Sequence, residues 1–296
     1  MPPDPTKPPE ETGLVIQRGA GLVALAAGGS PALSEIINRS LVHIRTSKAL
    51  STRQRIAGEE CKFEIAPGVK IVMCWIPPGE FLMGSPVDED DRFEIETQHQ
   101  VRITREFWLA KTQTTQEQWH AVMGGNPSEF IGAKNPVENV SWNDCQDFIE
   151  KLWKKVPDKA FRLPTEAEWE YACRAGTTGK YAGDLDDMAW YSSNADSKTH
   201  PVGGKKPNAW GLYDMHGNVF EWCADWVGDY PEDAATDPTG PNIGSIRMYR
   251  GGSWRYGGWD CRSVNRDGSP PGVRDGSIGF RVAAVLASAR RAVDVA

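Results

Sequence analysis

Runs of eighteen or more apolar residues are missing from this 296-residue chain, so no membrane span is expected. Residues 1–11, rich in proline and acid, lack a basic stretch followed by an apolar one, so they do not read as a secretory leader. Positive charge is in deficit. The 33 Lys and Arg face 40 Asp and Glu for a net charge of −7, which argues against a broad nucleic-acid surface. Cysteine is sparse: Cys61, Cys74, Cys145, Cys173, Cys223 and Cys261 form no C-x-x-C pair, so no zinc site is indicated. Histidine is sparser still, and His43, His99, His120, His200 and His216 show no metal-ligand spacing. Most of the cysteines stand in apolar surroundings. Without a leader they read as reduced core residues of a cytosolic protein.

What the chain does have is 12 Trp, 40% apolar residues, 30 Gly and 21 Pro, which together predict a real core wrapped in many loops. The length suits one large domain with an appendage. Residues 1–12 are expected to be disordered, and residues 13–29 carry no clear pattern. Ser30 then reads as an N-cap with Pro31 at the first helical position. Leu33, Ile36, Ile37, Leu41 and Ile44 follow on one helical face, which would dock on the main domain or recruit a partner. A polar linker leads to a main domain over residues 61–296, the first 60 forming the extension.

Within that domain, Val69 to Ile76 is an apolar run fit for a buried strand. Pro77-Pro78-Gly79 marks a turn, and Glu80 to Ser85 would be the return strand of a hairpin. Asp88 to Asp91 is a charge run that reads as a solvated loop, since the spaced ligands of an EF-hand are absent. Val101 to Ala110 has strand character. Three helices are announced by capping boxes: at Thr114 or Thr115 with Glu117 or Gln118, at Ser141 with Asp144, and at Thr165 with Glu168. Asp214 to Trp222 should run from a tight turn into a strand.

The stretch from Tyr249 to Ala284 differs from the rest. Tyr249, Trp254, Ile278, Phe280 and Val282 look like framework, the last three alternating as in a half-buried strand. Between them stand Arg255, Tyr256, Trp259, Asp260, Ser263, Val264, Asn265, Asp267, Arg274, Asp275 and Ser277, broken up by Gly and Pro. Such a stretch should form a loop-built surface held between rigid strands. Its Tyr, Trp and Arg residues are the types enriched at binding hot spots. It contains no Lys or Glu, whose side chains lose the most entropy on being fixed.

Seven segments carry a family resemblance: Gly79 to Ser85, Val140-Ser-Trp142, Arg162 to Glu170, Gly211-Leu-Tyr213, Gly217 to Trp222, Arg250-Gly-Gly-Ser-Trp254 and Gly279-Phe-Arg281. In this order the chain resembles formylglycine-generating-enzyme-like (sulfatase-modifying-factor) domains over about residues 61–284. The resemblance implies a loop-rich α+β fold of C-type-lectin type. The copper-dependent oxidases of that family use two cysteines just after the motif matching Arg250 to Ser253. Here the first position falls at or near Tyr256 and only Cys261 lies in the window, so no copper and no oxidase chemistry are expected. Residues 254–284 look more like the variable region of proteins diversified by diversity-generating retroelements, in which fixed positions alternate with changeable ones. By that likeness Arg255, Tyr256, Trp259, Asp260, Ser263, Val264, Asn265, Asp267, Asp275 and Ser277 would contact a protein or other macromolecular ligand.

Related enzymes also bind Ca²⁺ in the turn matching Asp214 to Glu221. The resemblance implies ligands from the side chains of Asp214 and Glu221 and the carbonyls of Gly217 and Val219, in a structural role. The alternative is that Glu221 pairs with Arg250 or Arg281. A second family site, near Asn194 and Ala195, is not expected here.

Overall fold

The computed structural model describes residues 55–286 apart from positions 91 and 158. The helix expected from Ser30 lies outside the described residues. Twelve strands are described, in three sheets. Strands β1 (Glu60–Ala66), β2 (Val69–Ile76), β5 (Phe107–Ala110), β6 (Lys159–Arg162) and β12 (Ala283–Leu286) build the largest, in the order β1-β2-β5-β12-β6. Strands β7 (Phe220–Trp226), β9 (Arg247–Arg250), β10 (Asp267–Ser269) and β11 (Ile278–Gly279) form the second, ordered β10-β9-β7-β11. The third joins β3 (Gly79–Met83), β4 (His99–Ile103) and β8 (Ala235–Thr236).

Two expectations about strands are corrected. The run at 69–76 and the return strand at 79–83 both form, but not as a hairpin: β2 pairs with β1 and β5, while β3 pairs with β4. The expected single strand over 101–110 breaks at residues 104–106, and its halves join different sheets. The final alternating strand also breaks. Ile278 and Gly279 pair with β7, whereas Ala283 to Leu286 run between β5 and β6. Both sides of residues 278–284 are buried, so the alternation there marks two cores rather than a core and a surface.

The capping boxes at Thr115, Ser141 and Thr165 all form. They start α1 (Gln116–Met123), α2 (Trp142–Lys155) and α3 (Glu166–Arg174), with a short α4 (Leu185–Met188) after them. Each box satisfies backbone N–H groups that the first helical turn leaves without partners. Helix α2 buries Cys145, Phe148, Ile149 and Leu152. The Phe148 ring stacks on Trp119 of α1 at 5.4 Å and meets Phe280 edge-on at 5.2 Å. No helix among the described residues is long and apolar enough to cross a membrane.

Candidate recognition face

The stretch after β9 is held from beneath by arginines. Arg250 is fully buried and ion-paired with Glu170 of α3. Its guanidinium also donates to the carbonyls of Val264 and Asn265, both at 2.6 Å, and of Ser263 at 2.9 Å. Arg266 pairs with Glu166 at 2.7 and 3.0 Å and donates to the carbonyls of Ile95 and Gly228. Arg262 pairs with Glu96 and Glu89 and donates to the Trp259 carbonyl. Arg281 grips Glu221 with two bonds and donates to the carbonyls of Ala110 and Tyr213. Helix α3 supplies Glu166 and Glu170 one turn apart, so one face of one helix anchors two of these arginines. A guanidinium carries five fixed N–H donors, so each arginine can satisfy a carboxylate and tie down loop backbone together.

This scaffold divides the ten expected contact residues. Tyr256 and Trp259 are 42% and 46% exposed, Arg255 and Asp267 are exposed, and Asp275 is partly so. Tyr256 rests on Phe220 at 5.5 Å. Arg255 lies over the Trp254 ring at 4.8 Å and reaches Asp275 at 3.3 Å. The other five, Asp260, Ser263, Val264, Asn265 and Ser277, are buried, contrary to expectation. The cause is local for each group. The pull of Arg250 on their carbonyls carries Ser263, Val264 and Asn265 inward. Ser277 folds its N–H and hydroxyl onto Asp275 at 2.8 and 2.6 Å. Asp260 is enclosed in a 3₁₀ turn over Gly258–Cys261, and burial pushes its carboxyl up to about 6.

Two exposed residues were missed. Phe93 and Ile95 are 43% and 46% exposed, and the Phe93 ring meets Trp259 at 5.9 Å. They follow the acidic run, which hid them as part of a solvated loop. Arg262, through Glu89 and Glu96, draws that segment against the recognition stretch.

Beneath the face, Cys261 is fully buried, and burial raises its thiol well above the ordinary range. A buried neutral thiol is a poor nucleophile and a poor metal ligand. His216 accepts from the Ala182 N–H at 3.1 Å through Nε2 and donates from Nδ1 to the Cys261 carbonyl at 2.8 Å. Burial pushes it down to about 4, so the ring is neutral at ordinary pH. Among the described residues no group of three or more His, Cys, Asp or Glu is placed to hold a metal.

The turn before β7 is set by positive φ at Asp214 (57°), Gly217 (122°) and Asn218 (64°). Glu221 makes the ion pair that is the alternative to a metal there: Arg281 holds it at 2.5 and 2.6 Å, and the Trp169 N–H adds a bond at 2.7 Å. A residue that the sequence did not signal completes the site. Gln113 Nε2 faces the carbonyls of Asp214, Gly217 and Val219 at 3.2, 3.1 and 2.8 Å, and Glu221 Oε1 at 3.0 Å. The Asp214 carboxylate stands apart from this centre in one respect: its Oδ2 accepts from the Gly203 N–H at 2.8 Å. Asp214 Oδ1 and Gln113 Oε1 are buried without partners among the described residues. The amide nitrogen meets three carbonyls and a carboxylate oxygen that Arg281 already serves. The carbonyls are hard donors of the kind Ca²⁺ takes, but Gln113 Nε2 stands where they converge, so a cation there would have to displace it.

Residues 67–286 match the Sulfatase-modifying factor enzyme 1-like domain. A formylglycine-generating enzyme of Streptomyces coelicolor is 35% identical over 182 residues, covering 54% of this chain and 56% of that one, so the chain spans little more than half of that relative's length. Among solved structures, Treponema denticola variable protein 1 superposes with a TM-score of 0.70 at 35% identity, over 76% of this chain and 98% of its own. PvdO from Pseudomonas aeruginosa gives 0.69 at 30% identity, over 79% of this chain and all of its own. The loop-rich α+β fold of C-type-lectin type is the one expected from the sequence.

Proposed function

The chain belongs to the Sulfatase-modifying factor enzyme 1-like domain family, and on that scaffold we propose that it is a non-enzymatic binding protein whose residues 254–277 recognise a protein or other macromolecular ligand. The carrying observation is the alternation along this stretch. Arg255, Tyr256, Trp259, Asp267 and Asp275 reach the surface, while Trp254, Arg262 and Arg266 are buried anchors. Exposed positions of this kind can change without disturbing the ion pairs below. That is what diversification by a retroelement requires, and the likeness to variable protein 1 supports it. Tyr and Trp offer rigid contact area, and Asp offers adaptable hydrogen bonding.

The competing reading is an oxidase like the Streptomyces relative. Tyr256 at the first cysteine position and the buried, protonated Cys261 weigh against it. Two experiments separate them. The DNA beside the gene should encode a reverse transcriptase and a near-copy of the 254–284 coding sequence differing at adenines; absence of both removes the diversification reading. Incubation with a Cys-x-Pro-x-Arg peptide, copper and O₂ should leave the peptide mass unchanged, and conversion would establish the oxidase.

Ca²⁺ is the proposed structural cofactor of the 214–221 turn, held, once Gln113 Nε2 is displaced, by the carbonyls of Asp214, Gly217 and Val219 and the Glu221 carboxylate, with the Asp214 side chain beside them. It would supply positive charge to converging oxygens and pin the turn that leads into β7. The described cysteines are unpaired, which suits the cytosolic location inferred from their contexts.

A further inference from the structure

A pocket of about 220 Å³ is lined by residues of β3, α3 and the loops beside them, and none of residues 254–277 takes part in it. Three aromatic rings from distant parts of the chain share it: Phe81 of β3, Tyr171 of α3 and Trp210 of the loop before the 214–221 turn. The Tyr171 ring touches both of the others. Its centroid is 5.2 Å from that of Phe81, with the planes at 45°, and 4.9 Å from that of Trp210, at 71°. Rings meeting at such angles form adjoining walls of a box, not a flat stack. Tyr171 is buried, whereas Phe81 and Trp210 are half-buried.

The charges on the lining decide what the box suits. They are Arg174 and Glu80. Arg174 is buried, and its donors are taken by protein oxygens: Glu170 at 3.0 Å and the carbonyls of Gly84 and Gly179 at 3.1 and 3.3 Å. Glu80 is exposed. Its ion pair with Arg102, the residue opposite it on β4, is 3.7 Å long and equally exposed. Such a pair contributes little, so Glu80 can answer a positive charge brought by a ligand.

The face of an aromatic ring is negative and attracts a cation, more strongly where water is excluded. Boxes of several rings hold methylated ammonium groups by this force. A neutral apolar ligand would gain burial alone and leave Glu80 unused. We infer that the Phe81–Tyr171–Trp210 pocket binds a small organic cation of the methylated or quaternary ammonium class, its methyl groups against the rings and its charge beside Glu80. The inference is independent of the reading of residues 254–277, and either can fail without the other.

The test is calorimetric titration of the full chain with choline and, separately, with 3,3-dimethylbutan-1-ol, which has the same shape and no charge. Choline should bind with a Kd of about 1 mM, and the neutral alcohol at least about tenfold more weakly. Trp210→Leu and Phe81→Leu keep the pocket apolar but remove a ring, and each should weaken choline about tenfold. Should these variants not fold, Glu80→Gln decides, because it changes an exposed side chain. It should weaken choline about threefold and leave the alcohol unchanged. No binding of choline by the native chain at tens of millimolar overturns the inference. So does equal binding of the alcohol, which would make the pocket merely apolar. Choline binding that neither the ring variants nor Glu80→Gln alters places the cation elsewhere and overturns it as well.

Discussion

Arg262 and Glu96 lie 166 residues apart in the chain and face each other through two hydrogen bonds, at 2.9 and 2.8 Å, both side chains fully buried. Glu96 also accepts from the Ser85 hydroxyl at 2.9 Å, so the carboxylate is satisfied on every side the loop offers. Removing one member of such a pair leaves the other charge buried and alone. Arg262→Met should therefore cost about 3–5 kcal/mol, read as a lower urea midpoint with an unchanged slope. Arg262→Met combined with Glu96→Leu should recover part of that loss, the remainder falling on Glu89, which also loses its Arg262 partner at 2.9 Å. An additive double variant would show that the pair is not an energetic unit.

Along residues 254–277 the cost of substitution should differ sharply between exposed and buried positions. Tyr256→Ser and Trp259→Ser remove half-exposed side chains and should change stability by no more than about 1 kcal/mol. Val264→Asp places a carboxylate where the native residue is fully buried, and should cost more than about 3 kcal/mol or prevent folding. Thermal melts of the three variants check this. If all three melt alike, the division between changeable surface and fixed anchor is wrong, and the proposed mode of recognition falls with it.

Legibility followed the range of the interaction. The boxes at Thr115, Ser141 and Thr165 are each closed within four residues, so the sequence displays both partners side by side. The partner of β3 could not be read that way. Nothing in Gly79 to Met83 distinguishes β2, just before it, from β4, sixteen residues on. Ser263, Val264 and Asn265 are expected at the surface from the likeness to a variable region, which carries no information on burial. Their burial is decided by Arg250, whose own partner Glu170 lies 80 residues away. Gln113 escaped for the same reason: all four of its oxygens come from a turn 101 to 108 residues later.

The pH dependence of stability should carry the mark of Glu138. Its Oε1 accepts from the N–H groups of Glu129 and Phe130 at 2.6 and 2.9 Å, while its Oε2 is buried without a partner among the described residues. Burial is the largest influence and pushes the carboxyl up to about 7, the nearby Glu129 and Asp275 adding to it. A folded-state value above the unfolded one, near 4.3, means stability that is present below about pH 4 and lost as pH rises through 7. Asp225, pushed up to about 8 chiefly by burial, acts in the same direction at higher pH. Asp144 acts oppositely. Arg274 holds it down to about 2, so its contribution is present above about pH 4 and lost on further acidification. Glu138→Gln should flatten the fall in urea midpoint between pH 5 and 7.5 relative to native. An unchanged slope would place the titrating group elsewhere.

Two glycines, both at positive φ, differ in what surrounds them. Gly124, the C-cap of α1, has φ 81°, and a methyl group there would meet nothing within 4 Å. Gly124→Ala should cost only the left-handed strain, about 1 kcal/mol. Gly217 has φ 122°, and a Cβ would lie 2.4 Å from the Trp190 carbonyl oxygen and 3.1 Å from its nitrogen. Backbone atoms cannot swing aside as a side chain would, so Gly217→Ala must displace the turn itself. It should cost clearly more than Gly124→Ala in urea unfolding. It should also weaken Ca²⁺ binding, because the Gly217 carbonyl is one of the oxygens that converge on Gln113. Equal costs at the two positions would mean that the turn yields freely, and a turn that yields freely could not hold those oxygens at one point.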